Sequence, residues 1–228
     1  MKKLLVLFIL IYSCSSNNNE DLDNNEKFYR LVKITEKNNN GIISETLSFE
    51  YNNKGQLIRS IEVDGGTTYI ATISYSNDKP ISITKSIGGS LTFTYNNDLI
   101  INRSGIEDNI LFTHEYTYNS SKQMISDKQY DDGIFCCENT FAYSTSGNIS
   151  KRNGSTTYEY DDKNNPLKAA LPVELLRIDD YPNNNNILKI NSETRFSYEY
   201  NEKGYPIKSY TYYNNQILAT KDYEYDSI

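Results

Sequence analysis

The chain has 228 residues, with 23 basic against 30 acidic side chains, a net charge of −7, 37% hydrophobic residues and no Trp. That length suits one domain with room for a tail. A negative chain is a poor match for nucleic acid, one His and three Cys leave too few soft ligands for a closed zinc site, and no run of about 18 apolar residues is present to cross a bilayer. What remains is a binding surface, a structural envelope protein, or an enzyme built on carboxylates and hydroxyls alone.

In chain order, Lys2 and Lys3 followed by the apolar stretch Leu4 to Tyr12 have the charged start and short apolar core of a secretory signal. The stretch is too short to span a membrane, so residues 1–13 are expected to be cleaved away. An ordinary signal ends in Ala-x-Ala, whereas this one ends Ile11-Tyr12-Ser13-Cys14 with Ser15 behind it. An aliphatic residue three before the Cys, a small one before it and a Ser after it resemble the bacterial lipobox. The resemblance implies a diacylglycerol thioether on Cys14 and an N-acylated new terminus, with palmitate-type chains holding the protein in the cell envelope at the outer membrane. Several acyl chains anchor stably where one is marginal. Loss of Lys2 and Lys3 leaves 21 basic against 30 acidic residues, a net −9 that anionic lipid repels, so the anchor rather than charge must hold the chain there. Residues 14–27 (CSSNNNEDLDNNEK) are polar and Asn-rich and read as a disordered tether. Glu20 and Asp21 so close to Cys14 resemble the surface-export tethers of Bacteroidetes lipoproteins.

From residue 28 onward the chain repeats itself. An aromatic-x-Tyr followed by turn-forming residues recurs eight times, as in FEYNNKGQL (49–57), YTYNSSKQM (116–124) and YEYNEKGYPI (198–207), with anchor tyrosines Tyr51, Tyr75, Tyr95, Tyr118, Tyr143, Tyr160, Tyr200 and Tyr225. Each copy has the pattern of a β-hairpin: an alternating run, four or five residues of Asn, Asp, Gly and Lys, and a second alternating run. Leu47, Phe49 and Tyr51 share one strand face and Ser48 and Glu50 the other, so one face is aromatic and the other rich in hydroxyls and charge. The expected fold is mainly all-β: an elongated, twisted antiparallel meander of repeated β-hairpins, about 14 to 18 strands, curled with its Tyr face inside. Phe28 to Ile34 should form the first strand and pair with the run around Ile43 to Tyr51. The repeat core Y-x-Y-[ND]-x-x-G-x-[LP]-x-K resembles the YD repeat of RHS-type proteins over nearly all of the chain from about residue 45. Asn mostly replaces Asp here, and the Gly stands only at Gly55, Gly147 and Gly204. The resemblance implies a short, diverged YD-repeat lipoprotein of the Bacteroidetes type. It carries a fold and an envelope setting and no toxin activity.

The 40-residue gap between Tyr160 and Tyr200 marks an insertion over about 161–192. Within it, Lys168 to Ile178 is the best helical candidate, one short helix in the 166–180 stretch, with Pro172 in its first turn and Asp179 to Asn186 ending it. A cap over one end or the open face of the sheet is the favoured role.

Cys136 and Cys137 are adjacent, point to opposite faces of a strand and are expected as buried thiols rather than a vicinal disulfide or a catalytic pair. His114 shares the Phe112/Tyr116/Tyr118 face and reads as a satisfied structural histidine. The acid pairs at Asp131, Asp161 and Asp179 suit turns better than calcium, since none has the spacing of a known calcium loop. Tyr118, Tyr160, Tyr200, Tyr210 and Tyr212, flanked by Asn and Asp, are the candidate binding residues, since a sugar can stack on the ring while its hydroxyls find amide partners. No catalytic constellation can be assembled, no metal or other cofactor is required, and a carboxylate-based hydrolase is the least supported class. The sequence therefore reads as a cell-envelope lipoprotein, anchored to the membrane through Cys14, whose repeat sheet is a non-catalytic structural or protein-interaction module. The alternative is a binding module for glycan or another envelope polymer. Nucleic acid is not an expected partner.

Overall fold

The computed structural model describes residues 29–107, 109–178, 183–191 and 194–227. The signal, Cys14, the tether and Asp179–Pro182 lie outside these residues. Sixteen strands follow one another: Tyr29–Asn38 (β1), Ile43–Tyr51 (β2), Leu57–Asp64 (β3), Thr67–Ser76 (β4), Lys79–Lys85 (β5), Ser90–Asn96 (β6), Leu99–Glu107 (β7), Ile110–Tyr118 (β8), Met124–Asp131 (β9), Ile134–Tyr143 (β10), Ile149–Arg152 (β11), Thr156–Tyr160 (β12), Ile187–Ile190 (β13), Thr194–Tyr200 (β14), Pro206–Tyr213 (β15) and Gln216–Ser227 (β16). Each pairs antiparallel with its sequence neighbours, including β1 with β2 as expected of the first strand.

The last strand also pairs with the first, from Tyr29↔Ser227 to Asn38↔Ala219, so the meander closes into a barrel. The all-β antiparallel meander is as expected, and its expected elongated, curled form is corrected to a closed barrel. An open sheet would leave two rows of unpaired N–H and C=O groups, and twist accumulated in one sense over sixteen strands brings the outer two together.

The turns show why these residues form hairpins. At one end of the barrel, Asn52 Oδ1 accepts from the N–H groups of Lys54 and Gln56, both at 3.0 Å, and Asn119 and Asn201 repeat this two-bond pattern. The Asn side chain thus replaces the backbone partner that a tight turn removes. Two-residue turns such as Asn77-Asp78 and Asp132-Gly133 hold both central residues at positive φ, the geometry whose twist matches paired strands.

At every anchor tyrosine from Tyr51 to Tyr200 the register slips by one residue. The ladder passes from Glu50↔Arg59 to Tyr51↔Leu57, for example, leaving Ile58 as the extra residue of a bulge. A bulge leaves a backbone group without its ladder partner. The tyrosine of the next hairpin supplies one. Tyr51, Tyr75, Tyr95, Tyr118 and Tyr143 donate their hydroxyls to the carbonyls of Leu31, Leu57, Pro80, Ile100 and Met124 at 2.6 to 2.7 Å, and Tyr225 donates to Pro206 at 2.8 Å. The acceptor residues are all fully buried, while the extra residues Ile81, Ile101, Ile125 and Ile207 point out to solvent. The tyrosine face is inside, as the alternation requires.

The insertion closes the end where the Asn turns lie. It contains a 3-10 turn, Pro166–Ala169, and a single-turn helix α1, Val173–Arg177, instead of one continuous helix. Pro172 is the reason: it has no N–H, and it forces Leu171 out of helical geometry. Leu167, Ala170, Leu171, Leu175 and Ile178 pack onto the aromatic core. The run Asn183 to Asn186, expected to terminate a helix, fastens this lid to the barrel. Asn148 Oδ1 accepts from the N–H groups of Asn184 (2.9 Å) and Asn185 (3.1 Å), Asn183 Oδ1 accepts from Ile149 N–H (2.9 Å), and Asn186 bonds Asp161 through N–H and Nδ2. Asn148 is only 2% exposed, and Asn148→Ala removes the acceptor of two lid amides and leaves a gap beneath them. The variant is expected to lose about 1 to 3 kcal/mol in urea unfolding, with faster hydrogen exchange at Asn184 and Asn185; unchanged exchange there would refute the stitching role.

Candidate functional site

With one mouth covered, the opposite end of the lumen is the mouth left open among the described residues, and two cavities lie there. Strand pairing decides which side chains face the lumen. Arg103 lies opposite His114, His114 opposite Gln129, and Tyr116 opposite Asp127, which places Arg103, His114, Asp127 and Gln129, four polar side chains from β7, β8 and β9, on one inner wall. Arg103 Nη2 and His114 Nε2 are 3.0 Å apart, and His114 Nδ1 is 2.8 Å from Asp127 Oδ1. Because a guanidinium can only donate, Nε2 is the acceptor and Nδ1 carries the hydrogen given to Asp127. Gln129 Nε2 donates to the other Asp127 oxygen at 3.0 Å. The His114 and Asp127 side chains are each 13% exposed.

Beside this chain lies a cavity of about 420 Å³ lined by Lys85, Leu91, Arg103, Ile110, Phe112, His114 and Asp131. A second, of about 500 Å³, shares Lys85 and is lined by Ser60, Glu62, Asp64 and Tyr69 among others. Across the lumen Lys221 Nζ is 2.8 Å from Glu36 Oε2. Burial works to lower the Lys221 ammonium, and its bond to Glu36 overrides this and holds it above its ordinary value. Glu45 is raised above the usual carboxylate range by burial, with Glu62, Glu36 and Asp64 adding to the effect against the pull of Lys221. A carboxyl that holds its proton more tightly when folded destabilises the fold once ionised. Glu45→Gln is therefore expected to raise the melting temperature at pH 7 by about 1 to 3 °C and to change it little at pH 4. A drop at pH 7 would show the charge to be useful there.

The rim of this open end is apolar. Ile42, Val63, Ile87, Leu111, Phe135 and Leu218 are exposed on or beside its turns, with Ile106 58% and Ile134 73% exposed. The outer wall below carries the outward bulge residues Ile81, Ile101, Ile125 and Ile207 near the lid end and is otherwise laced with polar contacts: the pairs Arg59 to Glu50 (3.3 Å), Lys189 to Glu159 (2.9 Å) and Lys37 to Asp222 (2.6 Å) and bonds such as Ser126 to Glu138 (2.6 Å).

Of the candidate binding tyrosines, Tyr118, Tyr160 and Tyr200 lie on the inner face. Tyr118 serves the hydroxyl ladder, and Tyr200 donates to Asp161 at the base of the lid, leaving the Ile187 carbonyl to Tyr198 at 2.8 Å. Tyr210 and Tyr212 share the outer face of β15, with ring centroids 6.4 Å apart; Tyr210 donates to Glu199 at 2.6 Å. The structure thus brings together Tyr210 and Tyr212 and separates them from the other three. Cys136 and Cys137 are free thiols and both exposed, not buried as expected: they lie near the open end, where the strand around them, Ile134 to Glu138, is exposed throughout. The contact with Cys136 is the main cause that raises the Cys137 thiol above its ordinary value. Among the described residues no group of three or more His, Cys, Asp or Glu side chains is placed to hold a metal ion. The Arg103 and Asp127 partnership with His114 was not legible in the sequence.

No protein-family model matches the chain, and no curated protein is detectably similar to it. Solved structures do match. A porin-like protein from Bacteroides uniformis aligns over 86% of this chain and 96% of its own at 17% identity and a TM-score of 0.57. A porin-like protein from Bacteroides vulgatus aligns over 87% of this chain and 100% of its own at 13% identity and a TM-score of 0.51. At these identities the likeness is one of fold: a closed antiparallel β-barrel.

Proposed function

We propose that the chain is a lipoprotein of the bacterial cell envelope, held at the outer membrane by acylated Cys14, whose barrel is a non-catalytic structural or protein-interaction module that meets its partner through the open rim. The observation that carries this reading is the gathering of exposed Ile, Leu and Phe at that rim above a polar wall, since contiguous exposed apolar surface marks interaction sites. The porin-like description of the two structural neighbours would suggest a pore. Strands facing lipid need an apolar outward band, whereas these carry ion pairs, and residues 161–178 and 183–186 cover one mouth. The YD-repeat resemblance supports a scaffold, because the repeat's Tyr and Leu/Pro positions are both occupied in the hydroxyl ladder. His114 is held between Arg103 and Asp127 rather than against a hydroxyl or thiol that it could activate.

A photo-crosslinker placed at Phe135 in cells is expected to capture a defined envelope protein that the same group at Thr72, on the polar wall, does not. Cys14→Ser should move the chain from the membrane to the soluble fraction. Equal capture at both positions would defeat the rim as an interface, and membrane retention of Cys14→Ser would defeat the anchor. A second reading, binding of glycan or another envelope polymer, is favoured by the luminal cavities and their charged and aromatic walls.

A further inference from the structure

On the inner wall, Arg103 has more donor capacity than its hydrogen bond to His114 uses. Arg103 donates Nη2 to a neutral imidazole, and its Nε is enclosed without a partner. A guanidinium has five N–H donors in a rigid plane, and an under-satisfied one inside a protein is costly unless something else completes it. The groups behind it are not free to turn away: Asp127 holds His114 at 2.8 Å, Gln129 holds Asp127, and His114 fixes the guanidinium. The cation is therefore oriented from behind, at the edge of a cavity of about 420 Å³, within the size range of small-ligand sites.

The other walls narrow the chemistry. Lys85 places a second cation on the cavity, Asp131 a carboxylate, and Phe112 an aromatic ring opposite Asp131 across the β8/β9 pairing. A planar carboxylate matches the fork of an arginine. Asp131 disfavours a doubly charged phosphate and suits hydroxyl donors, while Phe112 offers a face for a sugar ring. We propose that this luminal cavity binds an acidic sugar, a hydroxylated ring bearing one carboxylate, with Arg103 receiving the carboxylate, Asp131 accepting from hydroxyls and Phe112 packing on the ring. The proposal rests on the glycan reading and gives it a place and a ligand class. Asp127 and His114 act as positioning residues for Arg103.

His114 is the only histidine in the chain, so its imidazole resonances report this cavity without assignment ambiguity. The full chain in detergent, titrated with a galacturonic acid dimer and with the neutral galactose dimer, tests the site by calorimetry and by the imidazole signals together. The acidic dimer is expected to bind at least tenfold more tightly than the neutral one, to move the His114 resonances and to weaken as salt rises. Arg103→Gln should lose at least tenfold with an unchanged melting temperature, and Arg103→Lys should fall between. Equal binding of the two dimers, or binding that leaves His114 unmoved, overturns the proposal. Sugar binding that survives Arg103→Gln intact would keep the glycan reading and move it elsewhere on the barrel. Absence of binding by either dimer overturns the assignment of this cavity and leaves the protein-interaction reading to its own test.

Discussion

Leu31→Ala is expected to lower the unfolding free energy by about 2 to 5 kcal/mol, seen as a fall of about 5 to 15 °C in melting temperature. Leu31 is 0% exposed, and it sits where β1 meets β16, directly opposite Tyr225. It belongs to the same packed cluster as Leu57, Tyr51 and the lid residue Leu171. Truncation therefore leaves a void shared by the seam, the ladder and the lid, three elements that cannot all close onto it. The carbonyl that accepts from Tyr51 belongs to the backbone and stays in place, so the loss reports packing rather than a broken hydrogen bond. Ile81→Ala removes a comparable side chain from an outward bulge position and should cost less than about 0.5 kcal/mol. Equal losses for the two variants in urea unfolding would mean that the seam holds no more of the fold than the outer wall does.

The contrast between Leu31 and Ile81 shows how far the sequence could be read. Period-two alternation gave the inward tyrosines, the hairpins and the β1/β2 pairing, because these depend on residues close in sequence. Closure depends on Leu31 meeting Tyr225, and no local pattern records a pairing between the two ends of a chain. Bulges hide more. Counting by twos from Met124 would put Ser126 and Lys128 inside, but the extra residue Ile125 shifts the count and turns Asp127 inward instead. That single slip delivers Asp127 to His114, so the luminal chain with Arg103 could be found only by a reader who placed the bulge. Cys136 and Cys137 went astray for a related reason, since a bulge between Phe135 and Cys137 resets the count there, Cys137 falls opposite Gln129, and both thiols stay exposed near the open end. The asparagine run 183–186 has the composition of a turn and in the structure works as a fastening, a role set by Asn148 about 36 residues earlier.

Raising the pH above about 10 is expected to unfold the barrel cooperatively rather than titrate its tyrosines one at a time. Six ladder hydroxyls donate to buried carbonyls, and a phenolate has no hydrogen to give. Burial pushes Tyr75 and Tyr143 up to about 12, and it holds Tyr51, Tyr95, Tyr118 and Tyr225 higher still. An unfolded tyrosine releases its proton near pH 10. The folded state thus keeps protons that the unfolded state gives up, so the ladder's contribution is complete below about pH 10 and is lost as pH climbs towards and beyond 12. Absorbance of tyrosinate near 295 nm and far-ultraviolet circular dichroism, followed together, should change in one step over that window. Tyr118→Phe separates the two parts of the argument. At pH 7 it leaves the Ile100 carbonyl without its donor and should cost about 1 to 3 kcal/mol, whereas in alkali it removes one ionisable group and should shallow the transition by about one proton. Full tyrosinate absorbance with the strand signal intact would show that the hydroxyl ladder is not what keeps neighbouring hairpins together.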